Sequence, residues 1–230
     1  MQQKKYPSLL FGNRIKSIKN EVGDLCDIVL EYNRKAIILI ENFDKKTQVE
    51  IIDKSKEVDV LGYELERKCI KFIAIEQPLA SDLMFIESTI RVISHVKRMG
   101  YLSANIAESA EFLKGKAIPE KLLNDLQFMA DYVQIMLSKG FRTFLNQDIK
   151  MANELKEDDQ KVDDLFDIIL DQASKVLTSK TEDPLEVIHI IFMARSLERI
   201  ADRVVSIGTR TIFIKTNERP DIQDIIEDIE

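Results

Sequence analysis

Residues 82–113, DLMFIESTIRVISHVKRMGYLSANIAESAEFL, align without a gap on residues 183–214, DPLEVIHIIFMARSLERIADRVVSIGTRTIFI. Asp82 meets Asp183, Arg98 meets Arg199 and Ile106 meets Ile207. The segment ahead of each copy matches as well, Asp59 answering Asp163. A repeat of about a hundred residues is longer than solenoid periods, so the chain is a duplicated unit rather than an array. Whatever one half folds into, the other must fold into too.

The repeated unit is helical. Apolar residues recur at i, i+3, i+4 and i+7 near 18–43, 46–75, 82–114, 119–146, 149–178 and 183–215, and strand alternation bounded by glycine-rich turns is absent. The breaks ENFDKKT, EQPLASD, KGKAIPE, LNQD and TSKTEDP are short. Pro78, Pro119 and Pro184 stand at or near helix starts, where a missing N–H is harmless. Asp82 and Asp183 suit N-caps or first turns. The expected fold is all-α, a tandem duplication of an antiparallel three-helix bundle with six long helices. Residues 1–115 form the first repeat, 116–218 the second and 219–230 an acidic tail. In that tail DIQDIIEDIE aligns Ile222, Ile225, Ile226 and Ile229 on one face, which suits docking on its own protein or on the second subunit of a homodimer.

Several function classes fall away. The net charge of −7 and the lack of a Lys/Arg cluster speak against nucleic-acid binding. The longest apolar run, AIILI at Ala36–Ile40, is far below the roughly 20 residues of a membrane span, and the first residues lack the apolar core of a signal peptide. Cys26 and Cys69 show no CxxC spacing and read as reduced thiols. A cytoplasmic protein without membrane insertion is expected. No GxxxxGK phosphate loop is present. A di-iron carboxylate enzyme wants Glu-x-x-His on each of two helices, and His95 and His189 do not supply that. Both read as ordinary helix residues, and no enzyme is expected.

The chemistry concentrates in MARSLERIADRV, Met193 to Val204. At 100° per residue Leu197, Ile200, Ala201, Val204 and Val205 share one side of a helix, while Arg195, Glu198, Arg199, Asp202 and Arg203 share the other. Glu198 and Asp202 are four apart, where like charges repel by about 0.2–0.5 kcal/mol. In the preceding helix Asp159, Asp163, Asp167 and Asp171 form a ladder of the same spacing, and packing brings Asp159 or Asp163 towards Glu198 and Asp202. Two neutralisers are open. A cation that favours oxygen ligands would suit the carboxylates. Alternatively Arg195 and Arg199, each three residues ahead, would pair with Glu198 and Asp202.

A duplicated three-helix unit carrying LERIAD in helix six, AIEQPLASDL at the turn into helix three and KEVDVLGYELE in helix two resembles the PhoU family over about Ile18 to Ile214. The resemblance implies a cytoplasmic regulator of phosphate uptake and phosphate-starvation signalling. Its implied partners are the ATPase subunit of a phosphate ABC transporter and a sensor histidine kinase. It also implies iron or zinc on an acidic face built by E-x-x-x-D helices, here Glu198 and Asp202 with Asp163 and Asp159. The chain departs from the pattern in its first half, where the alignment puts Lys97 and Tyr101 in place of the two acids. If a metal is bound, it is therefore expected in the second half alone. Two alternatives stay open: a metal-buffering helical protein, and a PhoU-like adaptor of another transporter or a channel.

Overall fold

The computed structural model describes residues 9–79, 81–116, 118–179 and 184–218. Its elements are α1 (Leu9–Glu41), α2 (Lys45–Glu76), α3 (Ser81–Leu113), α4 (Glu120–Asn146), α5 (Ile149–Ser179) and α6 (Pro184–Thr216), with no strand among the described residues. Five helices begin and end within two residues of the periodicity. The exception is α1, which starts nine residues earlier than the expected 18. The apolar stripe of Ile18 and Val22 continues back through Ile15 to Phe11, whose ring lies against Phe72 with centroids 5.1 Å apart. Burying a phenylalanine contributes about 2–3 kcal/mol. That outweighs the roughly 1 kcal/mol helix cost of Gly12.

The two halves use the same local devices. The Asp44 carboxylate accepts from the Thr47 N–H at 2.7 Å to cap α2, and Asp148 accepts from the Met151 N–H at 3.0 Å at the start of α5. Asp82 lies in the first turn of α3, and Pro184 opens α6. Asp183 and the 219–230 tail lie outside the described residues. Burial repeats in the same register: Val22 and Leu126, Val29 and Val133, Ile37 and Phe141, and Ile40 and Phe144 are all buried. So are Val96 and Leu197, Met99 and Ile200, and Ile106 and Ile207.

Helices α1–α3 pack on one another, and so do α4–α6. The halves join most extensively through α3 against α6, and again through α1 against α4, so that one core runs through both. The α3–α6 pair is antiparallel, because Phe112 near the end of α3 stacks on His189 near the start of α6. Across one face the helices run α2, α3, α6, α5, with α1 and α4 behind. A buried polar network holds the halves in register. The Asn33 amide donates to Gln134 Oε1 at 2.7 Å, the Ser103 hydroxyl donates to Asn33 Oδ1 at 2.9 Å, and the Gln134 amide donates to the Leu30 carbonyl at 3.1 Å.

Within the second half α4 approaches α6 at Gly140, where an added Cβ would lie 2.4 Å from Val204 Cγ1. Val204 is fully buried and β-branched, so it has little room to turn away. Gly140→Ala is expected to destabilise the protein by about 2 kcal/mol despite alanine's better helix propensity. Denaturant unfolding measures this.

Candidate functional site

The α5–α6 groove carries the acids. Leu197, Ile200, Ala201 and Val204 are buried in the core, and this orientation turns Glu198 and Asp202 towards α5. There Val162 and Ile169 take the buried side of the helix, leaving Asp159 and Asp163 at the edge of the groove. Asp202 lies close enough to raise the proton affinity of the other three. Burial, then the fields of Asp163, Asp202 and Glu198, push the Asp159 carboxyl up to about 7. Burial and Asp202 raise Asp163, with Arg195 opposing. Burial and Asp202 likewise raise Glu198, against Arg195 and Arg199. Asp171 turns outward to pair with Lys175.

Arginine supplies part of the neutralisation. Arg195 donates to Glu198 Oε1 at 2.6 Å, and its guanidinium lies over the Phe166 ring. The other expected pair is missing: among the described residues Arg199 forms no ion pair with Asp202. Arg203 also differs from expectation, because it faces His95 on α3 and adds positive field there. Glu198 has a side chain only 12% exposed, and its Oε2 is buried without a hydrogen bond. An orphaned acceptor beside three further carboxylates is what a bound cation would satisfy. Among the described residues, no three acidic, histidine or cysteine side chains converge tightly enough to grip a metal as they stand. The donor chemistry nonetheless fits a cation that takes oxygen ligands.

The first half answers the same problem with a covalently attached cation. The Lys97 ammonium lies 3.2 Å from Asp59 and 3.7 Å from Glu66, and Asp59 is the counterpart of Asp163. The lysine stem crosses Gly62, where an added Cβ would meet Lys97 Cδ at 2.5 Å. Phe166 holds the matching place on α5. Asp159 is matched by Ser55, whose hydroxyl donates to the Ile52 carbonyl.

Two further features lie where α3 meets α6, and the linear pattern hides both. At one end Glu87, Arg91, Ser94 and His95 of α3 face Arg210 of α6, with Glu66 of α2, around a cavity of about 600 Å³. Arg91 and His95, four apart on α3, were the only local signal of it, since Arg210 is far off in sequence. At the other end His189 stacks on Phe112 with centroids 3.8 Å apart and meets Phe192 edge-on. Glu186 stands three residues before His189, a Glu-x-x-His in sequence, but the two do not form a ligand pair. Glu186 binds Lys116 at 2.9 Å, while His189 belongs to the aromatic stack.

Comparison with known proteins agrees with this architecture. The PhoU domain family model matches residues 22–110 and again 126–211. A phosphate-specific transport system accessory protein PhoU homolog of Methanothermobacter thermautotrophicus is 45% identical over 95% of this chain and 100% of its own. One from Aquifex aeolicus is 30% identical over 89% of this chain and 92% of its own. The crystal structure of PhoU from Pseudomonas aeruginosa superposes with a TM-score of 0.86 at 20% identity, over 90% of this chain and 100% of that one. That of the phosphate transport system regulatory protein PhoU from Streptococcus pneumoniae superposes at 0.84 and 23% identity, over 91% and 98%. With its two matched halves, each built of three helices, this chain belongs to the PhoU family.

Proposed function

We propose that this protein regulates phosphate uptake and phosphate-starvation signalling by contacting the cytoplasmic ATPase subunit of a phosphate transporter or a sensor kinase. The observation that carries this reading is end-to-end similarity to a phosphate-transport accessory protein at 45% identity. The exposed α2–α3–α6–α5 face supports it, because it offers charge and aromatic side chains together. Among the described residues no helix is long and apolar enough to cross a membrane, which is in keeping with a role in transport exerted through a partner. Deleting the gene is expected to leave phosphate uptake or starvation-gene expression switched on in high phosphate. Unchanged uptake and expression would overturn the reading, and would turn attention to an adaptor role at another transporter or a channel.

A second reading concerns the α5–α6 acids. The unpartnered Glu198 Oε2 and the raised Asp159 favour a cation held by Glu198, Asp202, Asp163 and Asp159. A bound cation would cancel the repulsion that these four side chains now share. Iron suits a set made wholly of carboxylates, whereas zinc would lack the His or Cys that it usually takes.

A further inference from the structure

We propose that the segment 219–230 folds back onto its own chain and seats its isoleucine face in the groove between α1 and α4, with Asp221 against Arg142.

The groove has a floor of Leu30 of α1, Ile135 of α4 and Met151 of α5, around a volume of about 500 Å³. Ile135 is 68% exposed, a large apolar side chain that nothing covers among the described residues. The lining holds Lys139 and Arg142 and, among the described residues, no carboxylate. Lys139 is already held by Asp158 at 2.6 Å and by Glu154 at 3.0 Å. Arg142 is exposed and forms no ion pair among the described residues. The groove therefore suits an apolar stripe bordered by a carboxylate.

The segment has that character. Ile222, Ile225, Ile226 and Ile229 follow the i, i+3, i+4, i+7 spacing of one helix face. At 100° per residue Asp221 and Asp228 border this stripe on one side. Residues 221–230 carry five acids and no cation, and that charge selects among grooves. The one between α1 and α2 is lined by Glu21, Asp24 and Glu64 against Lys68 alone, and repels an acidic helix. Those between α4 and α5 and between α3 and α6 each match two cations with two carboxylates, and give it no net attraction.

The path is short. Gly208 of α6 lies against Ala152 of α5, and Asp202 lies near Asp159, so these helices are antiparallel. The end of α6 is thus level with the α4–α5 turn, and Arg142 stands one turn before that end of α4. At Asn217 the backbone takes φ 60°, with the N–H donating to the Phe213 carbonyl at 2.9 Å. A left-handed residue in this place turns the chain off the helix axis. Residues 217–221, extended, span about 17 Å, enough to cross a neighbouring helix at its spacing of about 10 Å. From Ile222 to Ile229 a helix rises about 10 Å, as α4 does between Ile135 and Arg142. A segment that enters at Arg142 brings Asp221 to the guanidinium and Ile229 to Ile135. Seated there, it covers the face opposite α2–α3–α6–α5 and leaves only the latter open.

Hydrogen exchange of the 222–230 amides in the purified full-length protein, read by mass spectrometry, tests this. A helix this short is marginal in water by itself, so slow exchange requires docking. Exchange at least tenfold slower than in a free synthetic 219–230 peptide is expected. Ile135→Asp and Arg142→Glu, both at exposed positions that leave the core intact, should each remove most of the protection. Adding Asp221→Arg to Arg142→Glu should restore it, which a merely weakened fold would not do. The proposal is overturned if wild-type exchange matches the free peptide, if both folded variants stay fully protected, or if the charge swap restores nothing. Protection that falls on dilution would assign the segment to a second copy and overturn it too.

Discussion

The double variant Glu198→Ala, Asp202→Ala should lose all stoichiometric iron after incubation and desalting, whereas Lys97→Ala should keep the wild-type content. Elemental analysis of the three proteins reads the result directly. The asymmetry follows from the two grooves. In the second, Glu198 brings an oxygen with no hydrogen-bond partner to a place shared with Asp159, Asp163 and Asp202. In the first, the Lys97 ammonium already fills the corresponding role between Asp59 and Glu66. Wild-type protein that binds no metal under these conditions would leave the neutralisation of Glu198 to Arg195 and the field of Arg199, and the second reading would fall.

A second large effect is expected with pH. Asp159 holds its proton up to about pH 7 in the folded chain, against roughly 3.9 when unfolded. A folded-state value above the unfolded one means that its contribution to stability is intact below about pH 4 and is lost as the pH climbs through 7. Full burial would make that loss about 4 kcal/mol. For a half-buried side chain screened by solvent, about 1–2 kcal/mol is the reasonable expectation. Asp159→Asn should therefore stabilise the metal-free protein by that amount at pH 8 and leave it unchanged near pH 4. Thermal melts at the two pH values check this. Equal effects at both would show that the carboxylate cluster does not act as described.

Helix boundaries were legible because the apolar stripes are long and the breaks short, and the duplication doubled the signal. The start of α1 was not, since Gly12 interrupts the local pattern and the partner that rewards Phe11, Phe72, lies on another helix. At the site, the pairing of Arg195 with Glu198 could be read from three-residue spacing. The fate of Arg203 could not, because position on a helical wheel does not say which neighbouring helix a side chain meets. For Lys97 the charge reversal was visible, but the residue that makes room for its stem, Gly62, became meaningful only once α2 lay against α3. The α3–α6 cavity was hidden for the same reason: its cations come from antiparallel helices that meet only after folding.

The antiparallel α3–α6 pair relates the two halves by a rotation that leaves the exposed face in place while exchanging its ends. Had the repeats stayed alike, a partner could settle on that face in either of two orientations, half a turn apart, with equal ease. The matched positions now differ in kind: Lys97 against Glu198, Tyr101 against Asp202, Arg91 against Phe192, and Glu87 against Ile188. A partner docked the wrong way round would set its charges against like charges and its apolar groups against arginine, at a cost of several kcal/mol. Divergence of the two copies thus turns a reversible surface into a keyed one, on which the partner proposed above would settle in a single direction.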